Sequence, residues 1–170
     1  MKSEFNDISI RGRVAYAIMC LENAIKWYKK DNLDWSFLFQ LLWSFMKGNV
    51  ADWHYPMAEA TPRSILFDAE YSVKEMNYIN REEYSKLTNL YNSSNEVIIF
   101  ILNKLFEIGT RDLYSSISNN SLDTLEYLED IIDIMNKNKI PLPEVKFFKK
   151  FSINENNGWG RELNRSDLMS

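Results

Sequence analysis

Residues that carry most enzyme and metal chemistry are scarce in this sequence. Its 170 residues include one cysteine, Cys20, and one histidine, His54. A single cysteine cannot form an internal disulfide, so nothing in the chain requires an oxidising compartment, and Cys20 is most simply a small buried side chain. Metal sites normally recruit several histidines, cysteines or carboxylates, and the Glu-x-x-His spacing of helical two-metal sites is absent. With no glycine-rich phosphate loop and no nucleophile motif, the residue chemistry favours binding over catalysis.

Long apolar runs and excess positive charge are also missing. The apolar runs, such as Val97 to Leu102, are far shorter than the roughly 20 residues of a membrane-spanning helix. Residues 1–7 have mixed charge and no apolar stretch of signal-peptide type, so we expect a soluble protein of the cytosol. The net charge of −4 disfavours sequence-independent nucleic-acid binding, which depends on lysines and arginines that neutralise phosphates. An acidic protein is better suited to a basic partner.

Apolar and aromatic residues are plentiful. The composition is 45% hydrophobic and 14% aromatic, which suits a folded domain with a sizeable core. The five tryptophans, nine tyrosines and ten phenylalanines exceed what a small helical core needs. They either fill that core or serve as anchors at an interface.

Helical periodicity dominates the first third of the chain. Apolar residues recur every three or four positions across residues 9–30, which keeps one face of a helix dry. Residues 35–46 are apolar nearly all round, which predicts a helix in the middle of a bundle. Gly48 fits the C-terminal cap of that helix. Residues 49–60 are either an irregular connector or a short helix.

Capping residues mark the helix starts in the rest of the chain. Thr61 followed by Pro62 is a preferred start. Two pairs have the spacing of a capping box, in which each side chain bonds the other's free backbone amide: Asn80 with Glu83, and Ser93 with Glu96. The helices predicted here are one from Pro62 through Ile65, Ala69, Val73 and Met76, then 81–91, 94–108 closed by Gly109, 121–138, and a short one at 144–151.

These segments predict an all-α fold, a single-domain multi-helix bundle of about six to eight helices. The run Val97 to Leu102 has the β-branched content of a strand, but its apolar pattern continues to Ile108, which is too long for an ordinary strand. We expect residues 1–153 to form the bundle domain, and residues 154–170 a C-terminal loop followed by a mobile tail.

The predicted helix at 121–138 has a strongly acidic wet face. Five carboxylates occur there, with no basic residue until Lys137: Asp123, Glu126, Glu129, Asp130 and Asp133. Charge on a wet face is usually ordinary solvation, but solvated helices commonly place lysine four residues from an acid, whereas here like charges repel at that spacing. The face is therefore either simple solvation or a field that steers a basic partner.

Three further features allow more than one interpretation. His54 lies near Asp52 and Glu59, which permits an acid–base or metal site, although a lone histidine among aromatic residues more often packs or forms hydrogen bonds. Trp159 lies between two glycines, and its ring either packs onto the bundle or is exposed as an anchor for a partner. Two arginines near the first helix, Arg11 and Arg13, can form salt bridges to the acidic surface.

Two segments, Ile10 to Glu22 and Phe151 to Gly160, resemble small bacterial immunity proteins of polymorphic toxin systems, the Imm6-like group in particular. The resemblance implies a non-enzymatic protein that binds its cognate toxin, often a nuclease, in the cytosol and blocks the active site or a nearby surface. It implies no particular binding residues.

The leading hypothesis is an all-α protein-binding module that neutralises a basic toxin domain without cofactor or metal. The predicted partner-binding residues are Asp123, Glu126, Glu129, Asp130, Asp133 and Trp159. A second hypothesis is a small helical enzyme with its site near Asp52, His54 and Glu59. A third is a structural or regulatory helical protein that self-associates through exposed aromatic residues.

Overall fold

In a computed structural model of the chain, residues 2–67, 71 and 76–169 are described. These residues form seven α-helices and no strand, apart from one isolated bridge between Ile8 and Ser152. The prediction of an all-α multi-helix bundle is confirmed. The helices are α1 (Ile10–Trp27), α2 (Ser36–Trp43), α3 (Val50–Ala60), α4 (Pro62–Ile65), α5 (Arg81–Asn92), α6 (Glu96–Thr110) and α7 (Leu122–Lys137). No helix among the described residues has both the length and the apolar character needed to cross a bilayer.

The first helix, α1, lies at the centre of the fold and packs along α6 and α7. Ala15, Ala17 and Cys20 are as fully buried as its large apolar residues. Small side chains let neighbouring helices approach α1 from several directions, so the helix is covered nearly all round. Burial also raises the pKa of the Cys20 thiol, as expected for an inert core cysteine.

The prediction that residues 35–46 form the middle of the bundle is wrong. Within α2 only Leu38 and Leu42 are buried, and Phe37, Phe39 and Trp43 are half-buried at the surface of the core. These large rings cover the bundle from outside, where their bulk does not have to fit among several helices. Trp35, Phe45 and Met46, on either side of α2, are buried, so the segment contacts the core along one side only. The continuous apolar sequence of α2 therefore indicates a helix that covers the core with large side chains. The helix at the centre of the bundle is α1, which is rich in small residues.

Several helix ends differ from their predicted positions. Residues 49–60 do form a helix, α3, whose N-cap Asn49 accepts a hydrogen bond from the amide of Ala51 at 2.9 Å. The capping box of Asn80 and Glu83 is confirmed at the start of α5. The predicted box at Ser93 is wrong, because Asn95 caps α6 by accepting from the amide of Val97 at 2.7 Å.

Two predicted boundaries also change. Gly109 does not close α6, which continues to Thr110; a Cβ at Gly109 would lie 2.8 Å from the ring of Trp53, so the glycine allows close helix packing. The helix from Pro62 ends at Ile65. Its predicted continuation through Ala69 and Val73 lies outside the described residues, and Met76 is not helical. The segment 144–151 contains only a three-residue 3-10 turn, Val145–Phe147.

Arg13 is a buried cation that joins three segments of the chain. Its Nη1 donates to the carbonyl of Asn120 at 2.8 Å and to Oγ1 of Thr124 at 2.7 Å, and its Nη2 donates to the carbonyl of Phe5 at 3.2 Å. Burial lowers the pKa of Arg13 to about 10, partly offset by the charge of Asp112, so the guanidinium stays charged at neutral pH. The expected salt bridge to the acidic surface is not formed, because backbone carbonyls take up these donors.

Arg11 also joins distant segments, the loop after α2 and the C-terminal loop, by donating to backbone carbonyls. Its Nη1 donates to the carbonyl of Gly160 and its Nη2 to the carbonyl of Gly48, both at 2.8 Å. Gly160 has a φ of +84°, and Ser9 fills the space that a side chain at Gly160 would occupy. The first turn of α1 thus holds the loop after α2 and the C-terminal loop together.

The C-terminal segment packs on the bundle. Ser9 donates its amide to the carbonyl of Phe151 at 2.8 Å. Further along, Leu163 and Leu168 are buried in the same core as the helices. The expectation of a mobile tail after residue 160 is therefore corrected up to Leu168: apolar side chains spaced along an irregular segment anchor it without forming a regular helix.

Candidate protein-binding surfaces

The acidic helix, α7, exposes its carboxylates because its apolar residues recur at helical spacing on the opposite side. Five of these are buried against the core: Leu125, Leu128, Ile131, Ile132 and Met135. With about 100° of rotation per residue, the five predicted carboxylates point away from that stripe. The structure thus places all five on one broad outer surface of the helix.

Two of these carboxylates pair with cations, one on α6 and one at the C-terminal end of α6. Asp123 accepts a hydrogen bond from Nε of Arg111 at 2.6 Å. Asp130 lies 3.0 Å from Nζ of Lys104, an ammonium that also lies 3.4 Å from Glu107 and above the ring of Tyr127. These pairs tie α6 to α7, so Asp123 and Asp130 serve the fold as well as the surface charge.

The other three carboxylates lie along one side of the wet face of α7 with one leucine, and we call this line the outer row: Leu122, Glu126, Glu129 and Asp133. Glu126 and Asp133 are exposed, and Glu129 is half-buried. Its members follow at intervals of four, three and four residues, so the row runs for about 16 Å along the helix. Glu129 and Asp133 form no ion pair within the part of the chain that the structure describes. Leu122, at the N-terminal end, is 51% exposed. An exposed apolar residue thus lies next to a line of negatively charged residues.

Trp159 is half-buried, and its ring packs on the core. The ring centroid lies 6.5 Å from that of Phe45. The backbone carbonyl of Trp159 accepts a hydrogen bond from the amide of Arg11 at 3.0 Å. This is the packing alternative of the two considered for the Gly-Trp-Gly segment, and it leaves the edge of the indole in the wall of a surface groove of about 600 Å³.

The groove beside Trp159 is polar but uncharged. It lies between residues 115–120 and residues 153–159, and serine and asparagine side chains supply most of its lining. Asn119, Asn120 and Ser121 have consecutive positive φ angles, a conformation stabilised by the hydrogen bonds from Arg13 to the carbonyls of Asn120 and Ser121. The groove contains no side chain suited to acid–base chemistry.

The structure does not bring Asp52, His54 and Glu59 together. On α3, His54 points about 160° away from Asp52 and about 140° away from Glu59. Glu59 accepts hydrogen bonds from the amides of Asn77, Tyr78 and Ile79 at 2.7, 2.7 and 2.9 Å, so its carboxylate is engaged in holding that segment. Across residues 2–67, 71 and 76–169, no three metal-ligating side chains of this kind cluster.

His54 belongs instead to an exposed aromatic cluster that sequence spacing did not reveal. Its Nδ1 lies 3.3 Å from the hydroxyl of Tyr114. Beside it, the rings of Tyr55 and Tyr78 stack with centroids 6.0 Å apart and an interplanar angle of 14°. We call this cluster of His54, Tyr55, Tyr78 and Tyr114 the tyrosine patch.

The tyrosine patch is unusual in its exposure. Tyr55, Tyr78 and Tyr114 are 50%, 56% and 75% exposed. They come from α3, from the segment before α5 and from the turn after α6. No spacing rule connects positions so far apart in the chain, and the only available signal was the high aromatic content.

Comparison with protein-family models, with curated proteins and with solved structures gives no match to this chain. The resemblance of Ile10 to Glu22 and Phe151 to Gly160 to immunity proteins therefore stays a prediction. The function must be argued from the surfaces themselves.

Proposed function

We propose that this protein is a non-enzymatic protein-binding module that neutralises a cognate toxin in the cytosol, and that the toxin domain it binds is basic. The observation that supports this most is the outer row, in which Glu126 and Asp133 are exposed, Glu129 is half-buried and the exposed Leu122 lies at the N-terminal end. An apolar residue next to like charges gives a partner both a contact to bury and a field to follow.

The energetics of α7 favour a binding role for this row. Glu129 and Asp133 are four residues apart, a spacing at which like charges destabilise a helix by a few tenths of a kcal/mol. A lysine at either position would remove that repulsion. The cost is small, but the field of several exposed carboxylates can raise the association rate with a basic protein by a factor of about 10 to 1,000.

The arrangement of the other charged groups agrees with this function. Arg11 and Arg13 are buried on backbone carbonyls and do not screen the row. Asp123 and Asp130 are paired with cations of α6 and its C-terminal end, whereas Glu129 and Asp133 of the outer row form no ion pair with the described residues. His54 lies on a different side of α3 from Asp52 and Glu59, which gives no support to the alternative of an enzyme site there.

The test uses the gene next to the one that encodes this chain. If that gene encodes a large secreted protein with a toxic C-terminal domain, the domain is expressed in cells with and without this protein. We expect the protein to restore growth and to form a complex with the purified domain. Loss of growth in both cases, with no complex detected, would contradict the proposal.

The contribution of the outer row is measured separately by stopped-flow association. Asp133→Lys and Glu129→Lys should each slow association with the toxin domain several-fold at low salt, with the difference shrinking as salt rises. Glu82→Lys is the matched control, because it makes the same charge change at an exposed position of α5. Equal rates for all three variants would show that the row does not face the partner.

A further inference from the structure

We propose that the tyrosine patch, with Asp52 and Glu59 at its edges, binds an arginine side chain of a basic polypeptide. The inference concerns a surface separate from the outer row and does not require the partner to be a toxin. It reassigns residues that the sequence offered as an enzyme site to the recognition of a cation.

On the face of α3 that carries the patch, an aromatic residue lies between two acidic residues. Asp52, Tyr55 and Glu59 follow at intervals of three and four residues, so they line one side of the helix. Asp52 is exposed and forms no ion pair with the described residues. Tyr55 therefore stands between two carboxylates, and a cation over its ring is attracted by both of them and by the ring itself.

The patch is held in place before anything binds. The three amides that donate to Glu59 fix the backbone at Tyr78, whose ring stacks on Tyr55. Tyr114 is held from two sides, by His54 and by a side-chain hydrogen bond with Tyr55, which raises the pKa of Tyr114. Preorganised rings lose little conformational freedom on binding, which favours affinity.

The geometry favours arginine over lysine. A guanidinium is planar, stacks on aromatic rings and is weakly hydrated, so it can lie on an exposed tyrosine and donate to a carboxylate at its edge. A lysine ammonium is more strongly hydrated and loses more on leaving water. Phe106 and Trp53 lie beneath the patch, and give it an apolar floor: the ring centroid of Phe106 is 6.0 Å from that of His54 and 5.9 Å from that of Trp53.

The experiment titrates the full chain with a 12-residue peptide of alternating arginine and glycine, and with the matching lysine–glycine peptide. Binding is followed by calorimetry and by NMR of the tyrosine rings. We expect the arginine peptide to bind at least about threefold more tightly than the lysine peptide, with shifts at Tyr55, Tyr78 and Tyr114. Equal affinity for both peptides would contradict the proposal.

Variants locate the site. Tyr55→Ala and Tyr78→Ala should each weaken binding about fivefold, whereas Tyr55→Phe, which keeps the ring, should stay within about twofold. Asp52→Asn should also weaken binding and reduce its salt dependence. Trp27→Ala is the control, because Trp27 is 48% exposed at the C-terminal end of α1. Circular dichroism checks that each variant is folded, and full binding by both tyrosine variants would overturn the proposal.

Two further measurements distinguish the tyrosine patch from a peptide site on α7 and from a dimer interface. Asp133→Asn should weaken binding of the arginine peptide less than Tyr55→Ala does, because it removes only part of a more distant field; a loss equal to that of Tyr55→Ala would place the peptide on α7 and overturn the assignment. Sedimentation of the free chain tests whether a second copy of this chain occupies the patch. A dimer that Tyr55→Ala dissociates would assign the patch to a second copy of this chain instead of an arginine-bearing partner.

Discussion

At the scale of single residues, two buried tyrosines show how much depends on one hydrogen bond. Tyr91 donates its hydroxyl to the carbonyl of Ala60, at the end of α3. Tyr16 lies between the rings of Phe5 and Phe148, and its hydroxyl has no hydrogen-bond partner among the described residues. A buried hydroxyl without a partner costs free energy, whereas a bonded one stabilises the fold.

Replacing each tyrosine by phenylalanine should therefore change stability in opposite directions. We expect Tyr16→Phe to raise the free energy of unfolding by about 1 kcal/mol, because it removes an unsatisfied group and keeps both ring contacts. We expect Tyr91→Phe to lower it by about 1 kcal/mol or more, because the carbonyl of Ala60 loses its donor. Urea denaturation of the two variants checks the signs, and a loss of stability in both would contradict the assignment of Tyr16.

The pH dependence follows from the same burial. Desolvation raises the pKa of both Tyr16 and Tyr91. The folded state thus holds the neutral phenols, and their contribution to stability is complete below the ordinary tyrosine pKa of about 10 and is lost as the pH rises above it. Each phenylalanine variant should lose less stability than the parent chain between about pH 10 and pH 11.

At the scale of the helices, local signals were reliable where the partners lie within one turn. Asn80 accepts from the amide of Glu83 at 2.8 Å, and Glu83 accepts from the amide of Asn80 at 3.0 Å, as their spacing predicted. The same spacing misled at Ser93, because Asn95 lies closer to the apolar start of α6 and α5 ends at Asn92. Ser93 is the C-cap of α5 and therefore does not serve as the N-cap of α6.

The capping box of α5 gives the prediction at this scale. Asn80→Ala should lower the free energy of unfolding by about 1 kcal/mol, because the amide of Glu83 loses its acceptor. Asn89→Ala, at an exposed position inside the same helix, should change it by no more than about 0.5 kcal/mol, since alanine is the better helix former. Thermal unfolding of the two variants compares them, and equal losses would mean that the box adds nothing.

At the scale of the whole molecule, segments far apart in the chain close the fold. Arg11 bonds to carbonyls of residues 48 and 160, and Arg13 bonds to carbonyls of residues 5 and 120. Neither contact can be derived from local spacing, because each depends on loops that only the completed bundle brings to α1. A lysine at either position would supply fewer donors in a less fixed geometry.

The C-terminal segment provides the prediction for the whole molecule. Leu168 is 1% exposed and its neighbour Met169 is 72% exposed. Leu168→Ala should lower the free energy of unfolding by about 2–3 kcal/mol through the cavity it leaves, whereas Met169→Ala should change it by less than about 0.5 kcal/mol. Denaturant unfolding tests the pair. If neither variant changed the free energy of unfolding, the segment would not be anchored and the expectation of a mobile tail would stand.

The candidate surfaces divide in the same way. The carboxylates of α7 could be predicted to share a face, because helical periodicity fixes their direction once the apolar stripe is known. The ion pairs of Lys104 with Asp130 and of Arg111 with Asp123 could not be predicted, because they depend on the register of α6 against α7. The tyrosine patch was equally hidden, because its three tyrosines meet only after α3, α5 and α6 have packed.

The sequence by itself determined the all-α class, most helix positions and the acidic side of α7, because periodicity and caps act over a few residues. The tertiary structure alone decided that α1 is central, that the C-terminal segment is packed, and which carboxylates and rings remain exposed. Those outcomes depend on contacts between distant segments, whose geometry is set when the whole core closes around the small side chains of α1.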